Sequence, residues 1–301
     1  LEFPAAHKAL AVDRPRLDQA LVAWAVRQGA RLTEGVRVTD LLWEGDRVAG
    51  ARAGRTLLPA RYVVGADGLR SVVGRRLGAP GRGRTPPKVA FTGHWSGVEG
   101  LTDRGELHVQ GPVVCGIAPA GRPGEANVVL VVPATGPGLW AGSSLGNPWA
   151  ALQARWPDPD LRRRLANARP DGRPLATGPF DRPARLVHVP GALLAGDAAG
   201  YFDPLTGQGL YRALRSAELA AGALHQALTT GAETTAFAAY QQQLQAEFAP
   251  AVRRQRYLDA LVRRPAALAG ALSLATACPP GARWLMGLLG DCTCPKGATL
   301  P

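Results

Sequence analysis

The chain has 301 residues, 46% hydrophobic and 19% charged, which gives it material for a sizeable core and too little charge for extended disorder. Its net charge of +12 is carried almost entirely by scattered arginines, with short clusters at Arg162-Arg163-Arg164 and Arg253-Arg254. Such a surface attracts anions in general, but no basic heptad region or aromatic RNA-binding pattern accompanies it, so no nucleic-acid partner is expected. Four cysteines do not make a disulfide scaffold, and the Cys292-x-Cys294 pair with Cys278 upstream lacks the ligand set of a zinc site.

Leu1-Glu2-Phe3-Pro4 has neither the charged start nor the apolar run of a signal peptide. The longest apolar stretch, Ala266 to Ala277, is too short to span a bilayer, although it could rest on a membrane surface. A cytoplasmic protein is expected. The absence of an initiating methionine suggests a piece of a longer chain.

The first predicted element is a helix from Pro15 to Gln28, started by Asp13 and Pro15, stopped by Gly29, with Leu17, Leu21 and Trp24 on one face. Val36 to Trp43 and Arg47 to Arg52 read as a hairpin around Glu44-Gly45-Asp46. Tyr62 to Ala66 is an apolar run of the kind buried in a parallel sheet; after Asp67-Gly68 comes a helix capped by Ser71 and closed by Gly78. The Gly/Arg/Pro-rich stretch 81–87 marks a boundary. Val89–Val98, Glu106–Gln110, Val113–Ala118 and Asn127–Val132 then suggest an antiparallel sheet, followed by short helices at Pro148–Trp156 and Asp160–Ala168. Parallel-strand character returns at Leu193-Leu194-Ala195. A long helix follows Gly209, with Leu210, Ala213, Leu214, Ala217, Ala221, Leu224 and Leu228 on one face. A second amphipathic helix covers Thr235 to Val262.

The segment richest in chemistry is Gly196-Asp197-Ala198-Ala199-Gly200-Tyr201-Phe202-Asp203-Pro204-Leu205-Thr206-Gly207-Gln208-Gly209-Leu210. A buried strand delivers an aspartate at its carboxyl end, a glycine-rich turn lets backbone N–H groups approach a ligand, and a helix begins. A helix N-terminus carries unpaired donors and partial positive charge, so it favours an anion such as a reduced isoalloxazine. The aspartate can accept hydrogen bonds from the hydroxyls of a ribityl chain.

Val63-Val64-Gly65-Ala66-Asp67-Gly68-Leu69-Arg70-Ser71 resembles the "DG" motif of flavoprotein hydroxylases and reductases, and the Gly196 segment resembles their "GD" motif. Arg14-Pro15-Arg16-Leu17-Asp18 resembles the arginine-led helix that precedes the DG motif. Over residues 9 to 230 the chain therefore resembles the p-hydroxybenzoate hydroxylase-like FAD superfamily. The aromatic hydroxylases usually carry histidine in place of Gly200 and asparagine in place of Tyr211. Gly200, Asp203-Pro204-Leu205-Thr206-Gly207 and Ala213-Leu214-Arg215-Ser216-Ala217 are more similar to the geranylgeranyl reductase branch, although its aromatic strand motif is absent at Cys115-Gly116-Ile117-Ala118-Pro119.

The resemblance implies an α/β fold, α+β overall. A Rossmann-like FAD layer, incomplete at its N-terminus, would occupy 1–85 and resume over 177–235; an antiparallel substrate sheet would fill 86–176 and a helical region 236–301. It implies that Asp197 binds the ribityl chain and that Pro204, Thr206, Gly207, Gln208 and Gly209 line the isoalloxazine, next to Gly196 and Ala198. Arg14 would lie near the FAD phosphates, while Asp67 and Gly68 would support the cofactor. FAD is the implied cofactor and NAD(P)H the implied electron donor. The implied activity is reduction of an apolar small molecule of isoprenoid or polyketide type. Monooxygenation with NAD(P)H and oxygen is the alternative, and a non-catalytic remnant or binding protein a third.

The superfamily's opening GxGxxG unit needs about 30 residues, which the stretch before Arg14 cannot hold. Gly136-Pro137-Gly138-Leu139-Trp140-Ala141 matches the pattern but sits on the wrong side of the DG motif and reads as a loop. His94, His108 and His188 read as packing or surface histidines. Trp95, Trp140, Trp149 and Trp156 are read either as lining an apolar cavity or as core.

Overall fold

The computed structural model describes residues 12–135, 146–278 and 280–282. Helix α1 (Arg14–Arg27) has proline in its first turn and ends at Gln28, but none of its residues is buried, and Trp24 is 57% exposed. Strands β1 (Asp40–Glu44), β2 (Arg47–Ala53) and β3 (Thr56–Pro59) form an antiparallel meander. The first strand starts at Asp40 instead of Val36, because its ladder partner ends at Ala53 and earlier residues have nothing to pair with. The third strand is exposed at every position, so it carries no burial alternation from which to predict it.

Strand β4 (Val63–Gly65) leads into α2 (Val72–Arg76). The Ser71 hydroxyl accepts from Gly74 N at 2.7 Å, and Gly78 closes the turn with φ +70°, as the capping signals predict.

The middle of the chain is an antiparallel sheet. It contains β5 (Lys88–Ser96), β6 (Glu106–Gln110), β7 (Val113–Pro119) and β8 (Glu125–Pro133), flanked by α3 (Pro148–Arg155) and α4 (Pro159–Leu165). Two short returns, β9 (Arg169–Pro170) and β10 (Leu175–Thr177), pair with β5, giving the order β10-β5-β8-β7-β6. One face, with Val113, Cys115, Ile117, Val128 and Leu130, packs on Leu152, Leu161 and Leu165 of the two helices. Trp95, Trp149 and Trp156 belong to this core, and the first two rings meet edge-on at 5.3 Å. Burial pushes the Cys115 thiol up to about 12, so this side chain behaves as a small hydrophobe. Trp140 and the 136–141 glycine pattern lie outside the described residues, as do Cys292 and Cys294.

At the rim of the sheet Arg164 grips Glu106 with two bonds of 2.7 and 2.9 Å. The Arg164 guanidinium holds the Glu106 carboxyl below its ordinary value. A depressed carboxyl contributes stability above its unfolded pKa and loses it as pH falls. Glu106→Gln is therefore expected to cost about 1–2 kcal/mol near neutral pH. In urea unfolding at a series of pH values, the gap between the two proteins should narrow below about pH 4.5; a gap independent of pH would contradict the ion pair.

The chain then returns to the first layer through β11 (Arg182–Pro183), β12 (His188–Val189), β13 (Ala192–Leu194) and β14 (Gly200–Tyr201). Strand β13 is fully buried and pairs in parallel with β4, Ala192 opposite Val63 and Leu194 opposite Gly65. No strand among the described residues pairs with the other edge of β4. Only glycine fits at 191: its φ is +82°, and a Cβ there would stand 2.0 Å from Val48 O, where β2 crosses the start of β13.

Helices α5 (Gly209–Thr230), α6 (Glu233–Val262) and α7 (Pro265–Ala277) complete the chain. The buried face of α5 is Ser216, Ala220, Ala223 and Ala227, which corrects the predicted Leu210–Leu228 face; Leu214 and Leu228 are exposed. The bulky Phe237, Tyr240, Leu244 and Phe248 of α6 fill the space between the helices, so α5 presents its small residues to them. Among the described residues no helix is long and apolar enough to cross a membrane.

Candidate functional site

The parallel pair β4/β13 brings two acid-ended corners side by side. At the first, Asp67 spends its carboxylate locally, accepting from Ser71 Oγ, from Val72 N at 2.6 Å and from Val73 N at 3.3 Å. It thus adds to the Ser71 cap of α2 and stabilises the corner itself. Gly68 beside it has φ +77° and open space where a Cβ would stand.

At the second corner, Gly196–Ala199 form a 3-10 turn. Gly196 N donates to Ser216 Oγ at 2.7 Å and Tyr240 OH donates to Leu194 O at 2.6 Å, so α5 and α6 both fix the turn. Ala198 is buried beneath it. Asp197 is half-buried with no hydrogen-bond donor to its carboxylate among the described residues. Burial pushes its carboxyl above the ordinary value, while the charges of Arg212 and Arg14 pull it back. Its free acceptor capacity opens on a crevice of about 40 Å³ lined also by Leu69, Arg70, Ser71, Arg75, Arg182 and Ala198. Arg14, on exposed α1, pairs with Asp18 at 3.1 Å yet still acts on Asp197 through its charge.

The third piece runs from Asp203 to Gly209. Asp203 accepts from Leu205 N at 2.8 Å and caps a 3-10 turn, Pro204–Thr206. Gly207 follows with φ +68°, and nothing lies within 4 Å of the place a Cβ would take. Thr206 Oγ1 accepts from Gln255, which also reaches Gln208. Helix α5 begins at Gly209 with no side chain capping it and no acid in its first turn. Its N-terminal donors therefore face outward beside the turn, available to an anion. A carboxylate seeking hydroxyls, two glycines with open space above them and an uncapped N-terminus together suit the ribityl and isoalloxazine half of a flavin.

Sequence reasoning missed the supports behind this turn. Lys88, at the start of β5, places Nζ 2.7 Å from Asp259 of α6 and also pairs with Asp203; the three side chains are at most 8% exposed. The Asp259 carboxyl is opposed by burial, but Arg263 and Lys88 outweigh that and hold it below the ordinary value. Nothing in a single strand-initial lysine announces two partners 115 and 171 positions away; the second separation is that of the Lys88–Asp259 bond. The histidines play no part: His94 is exposed, His108 pairs with Glu106, and His188 packs edge-on against Phe237.

Known proteins resemble the chain in sequence and in fold. Residues 5–135 match the family described as FAD binding domain. The digeranylgeranylglycerophospholipid reductase of Methanosarcina acetivorans is 28% identical over 233 residues, which cover 73% of this chain and 54% of that protein. The menaquinone reductase of Mycolicibacterium smegmatis is 30% identical over 276 residues, 87% of this chain and 64% of that protein. Among solved structures, the flavin-dependent brominase Bmp2 superposes with a TM-score of 0.78 at 22% identity, covering 93% of this chain and 70% of that one. The last likeness concerns the fold alone. The chain spans about half the length of the archaeal reductase it matches.

Proposed function

From the match of residues 5–135 to the FAD binding domain family and the likeness to reductases, we propose that the chain is an FAD-dependent oxidoreductase and forms the ribityl- and isoalloxazine-binding part of an enzyme that reduces an apolar small molecule of isoprenoid or polyketide type. The observation that carries this is the unpartnered Asp197 carboxylate set beside the open Gly207 turn and the uncapped start of α5. When bound there, FAD supplies reversible two-electron chemistry, and the chain's own residues do the positioning. Asp197 accepts from hydroxyls, the first N–H groups of α5 favour negative charge, and Gln255 holds Thr206 and Gln208 in place. Arg14 adds positive charge on the side where the phosphates would lie.

The substrate class rests on the second face of the antiparallel sheet. Ala90, Val114 and Val131 are buried there with Phe180, and Val129 and the turn residues Tyr201 and Leu205 pack partly buried against them, so the sheet meets the flavin turn through small apolar side chains. Reductases among the relatives and the Gly200 variant of the turn support reduction over hydroxylation. NAD(P)H is the proposed donor. The uncharged α7, with Leu274 exposed, suits a peripheral contact with a membrane carrying such substrates.

Monooxygenation is the second reading, supported by the shelter from water that the same apolar sheet face provides. Oxygen uptake separates the two. With FAD, NADPH and substrate present, the reductase reading expects product without stoichiometric oxygen consumption. One oxygen consumed per product formed would overturn it in favour of the monooxygenase.

A further inference from the structure

Behind the flavin turn lies a second cavity, about 390 Å³, between α5, α6 and the β11–β14 ribbon. It is not the cofactor crevice. Gly196, Ala199 and Gly200 line this cavity while Asp197 and Ala198 line the crevice, so the turn itself is the wall between them.

Four arginines surround the cavity. Arg185 and Arg253 are exposed at its rim, and Arg212 and Arg256 are half-buried inside. Several other arginines of the middle and C-terminal regions pair with acids, as Arg164 does with Glu106, Arg215 with Glu218 and Arg263 with Asp259. Among the described residues, no carboxylate lies within ion-pair distance of any of these four. Arg212 stacks on Phe248 with its guanidinium carbon 4.5 Å from the ring centre, and Arg256 on Phe202 at 5.4 Å. Arg212 makes a single hydrogen bond, to Gly200 O at 3.1 Å, and its Nη1 is buried without a partner. Burial lowers the Arg212 pKa, with the nearby Asp197 charge acting against that, so an additional anion beside it would offset the cost of desolvation. The one acid in the lining, Asp181, is already engaged, its Oδ2 accepting from Arg84 N at 2.5 Å and Thr85 N at 2.7 Å.

The remaining walls are largely apolar, with Leu186, Val187, Leu244 and Val252 among them, and Ser216, Gln241 and Gln245 add neutral polar groups. A cavity at the small end of the usual ligand range, apolar-walled and cationic without internal neutralisation, matches an amphipathic anion. We propose that this cavity binds a phosphate or carboxylate head carrying a short apolar chain, at a site separate from the flavin crevice.

Hexyl phosphate is the probe, titrated by calorimetry into the 301-residue chain with and without FAD. Binding is expected at one site, at least about tenfold tighter than inorganic phosphate because the chain is buried with the head. Hexyltrimethylammonium should not bind, and added FAD should leave the affinity unchanged. Arg256→Gln is expected to weaken hexyl phosphate by about tenfold or more. If circular dichroism shows that this variant does not fold, the exposed double variant Arg185→Gln/Arg253→Gln takes its place with a similar expected loss. Absence of binding, equal affinity for inorganic phosphate, competition by FAD, or an unchanged affinity in the folded variant would each overturn the proposal. Hexanoate in place of hexyl phosphate tells which head group is preferred, and binding of either supports the site. Failure of the chain to bind FAD would remove the competition arm alone, and the other outcomes would still decide the proposal.

Discussion

Replacing Lys88 with methionine is expected to destabilise the protein by about 3–5 kcal/mol, the range for breaking a buried ion pair by removing one partner. The lysine ammonium stands between Asp203 and Asp259, and all three side chains are at most 8% exposed. Asp259 keeps Arg263 at 2.9 Å, but Asp203, at 3% exposure, loses the only cation that pairs with it among the described residues. Methionine fills nearly the same volume, so the loss reports charge instead of a cavity. Because Asp203 also caps the Pro204–Thr206 turn, the damage should fall on the flavin side as well as on the sheet. Urea unfolding followed by circular dichroism measures the cost, and Lys88→Met/Asp203→Asn should recover part of it. A loss below about 1 kcal/mol in the single variant would mean that the cluster does not tie the sheet to the turn.

Asp197→Ala is expected to weaken FAD binding by about 10–100-fold, the value of one charge-assisted hydrogen bond. Its effect on folding should have the opposite sign. The buried carboxyl titrates above its ordinary value, so ionisation is disfavoured in the folded protein. Stability therefore declines as pH rises from about 3.8 through the folded-state pKa, and removing the group relieves that decline. At neutral pH the variant should be as stable as the parent or more so, an advantage that vanishes below the ordinary carboxylate range. Flavin fluorescence titration and unfolding at two pH values test both halves. Unchanged FAD affinity would remove Asp197 from the site, and a marked loss of stability would assign it a structural role.

The corners of the site were legible because their residues act locally. Ser71 caps α2, Gly78 ends it, and Gly207 adopts the left-handed conformation its turn demands, each acting on backbone only a few positions away. Glu106–Gln110 was legible to the residue because its ends are punctuated by glycine. What stayed hidden depends on distant partners. The α5 face is decided by aromatic residues of α6, so apolar periodicity alone chose the wrong stripe. On α1 the periodicity is real, with Leu17, Leu21 and Trp24 aligned, yet nothing described covers that face. The short strands β9, β11, β12 and β14 have two residues each, too few to show any period. Arg212 and Lys88 gain their importance only through tertiary contacts.

The central claim is that the β4/β13 corners and the Asp203–Gly209 turn hold the ribityl and isoalloxazine half of FAD, and a crystal structure of the chain with bound FAD tests it most directly. The account predicts a ribityl hydroxyl hydrogen-bonded to Asp197 and the ring system against Pro204–Gly209 at the start of α5. Flavin density in the arginine-lined cavity behind the turn, or anywhere else with Asp197 untouched, would contradict it.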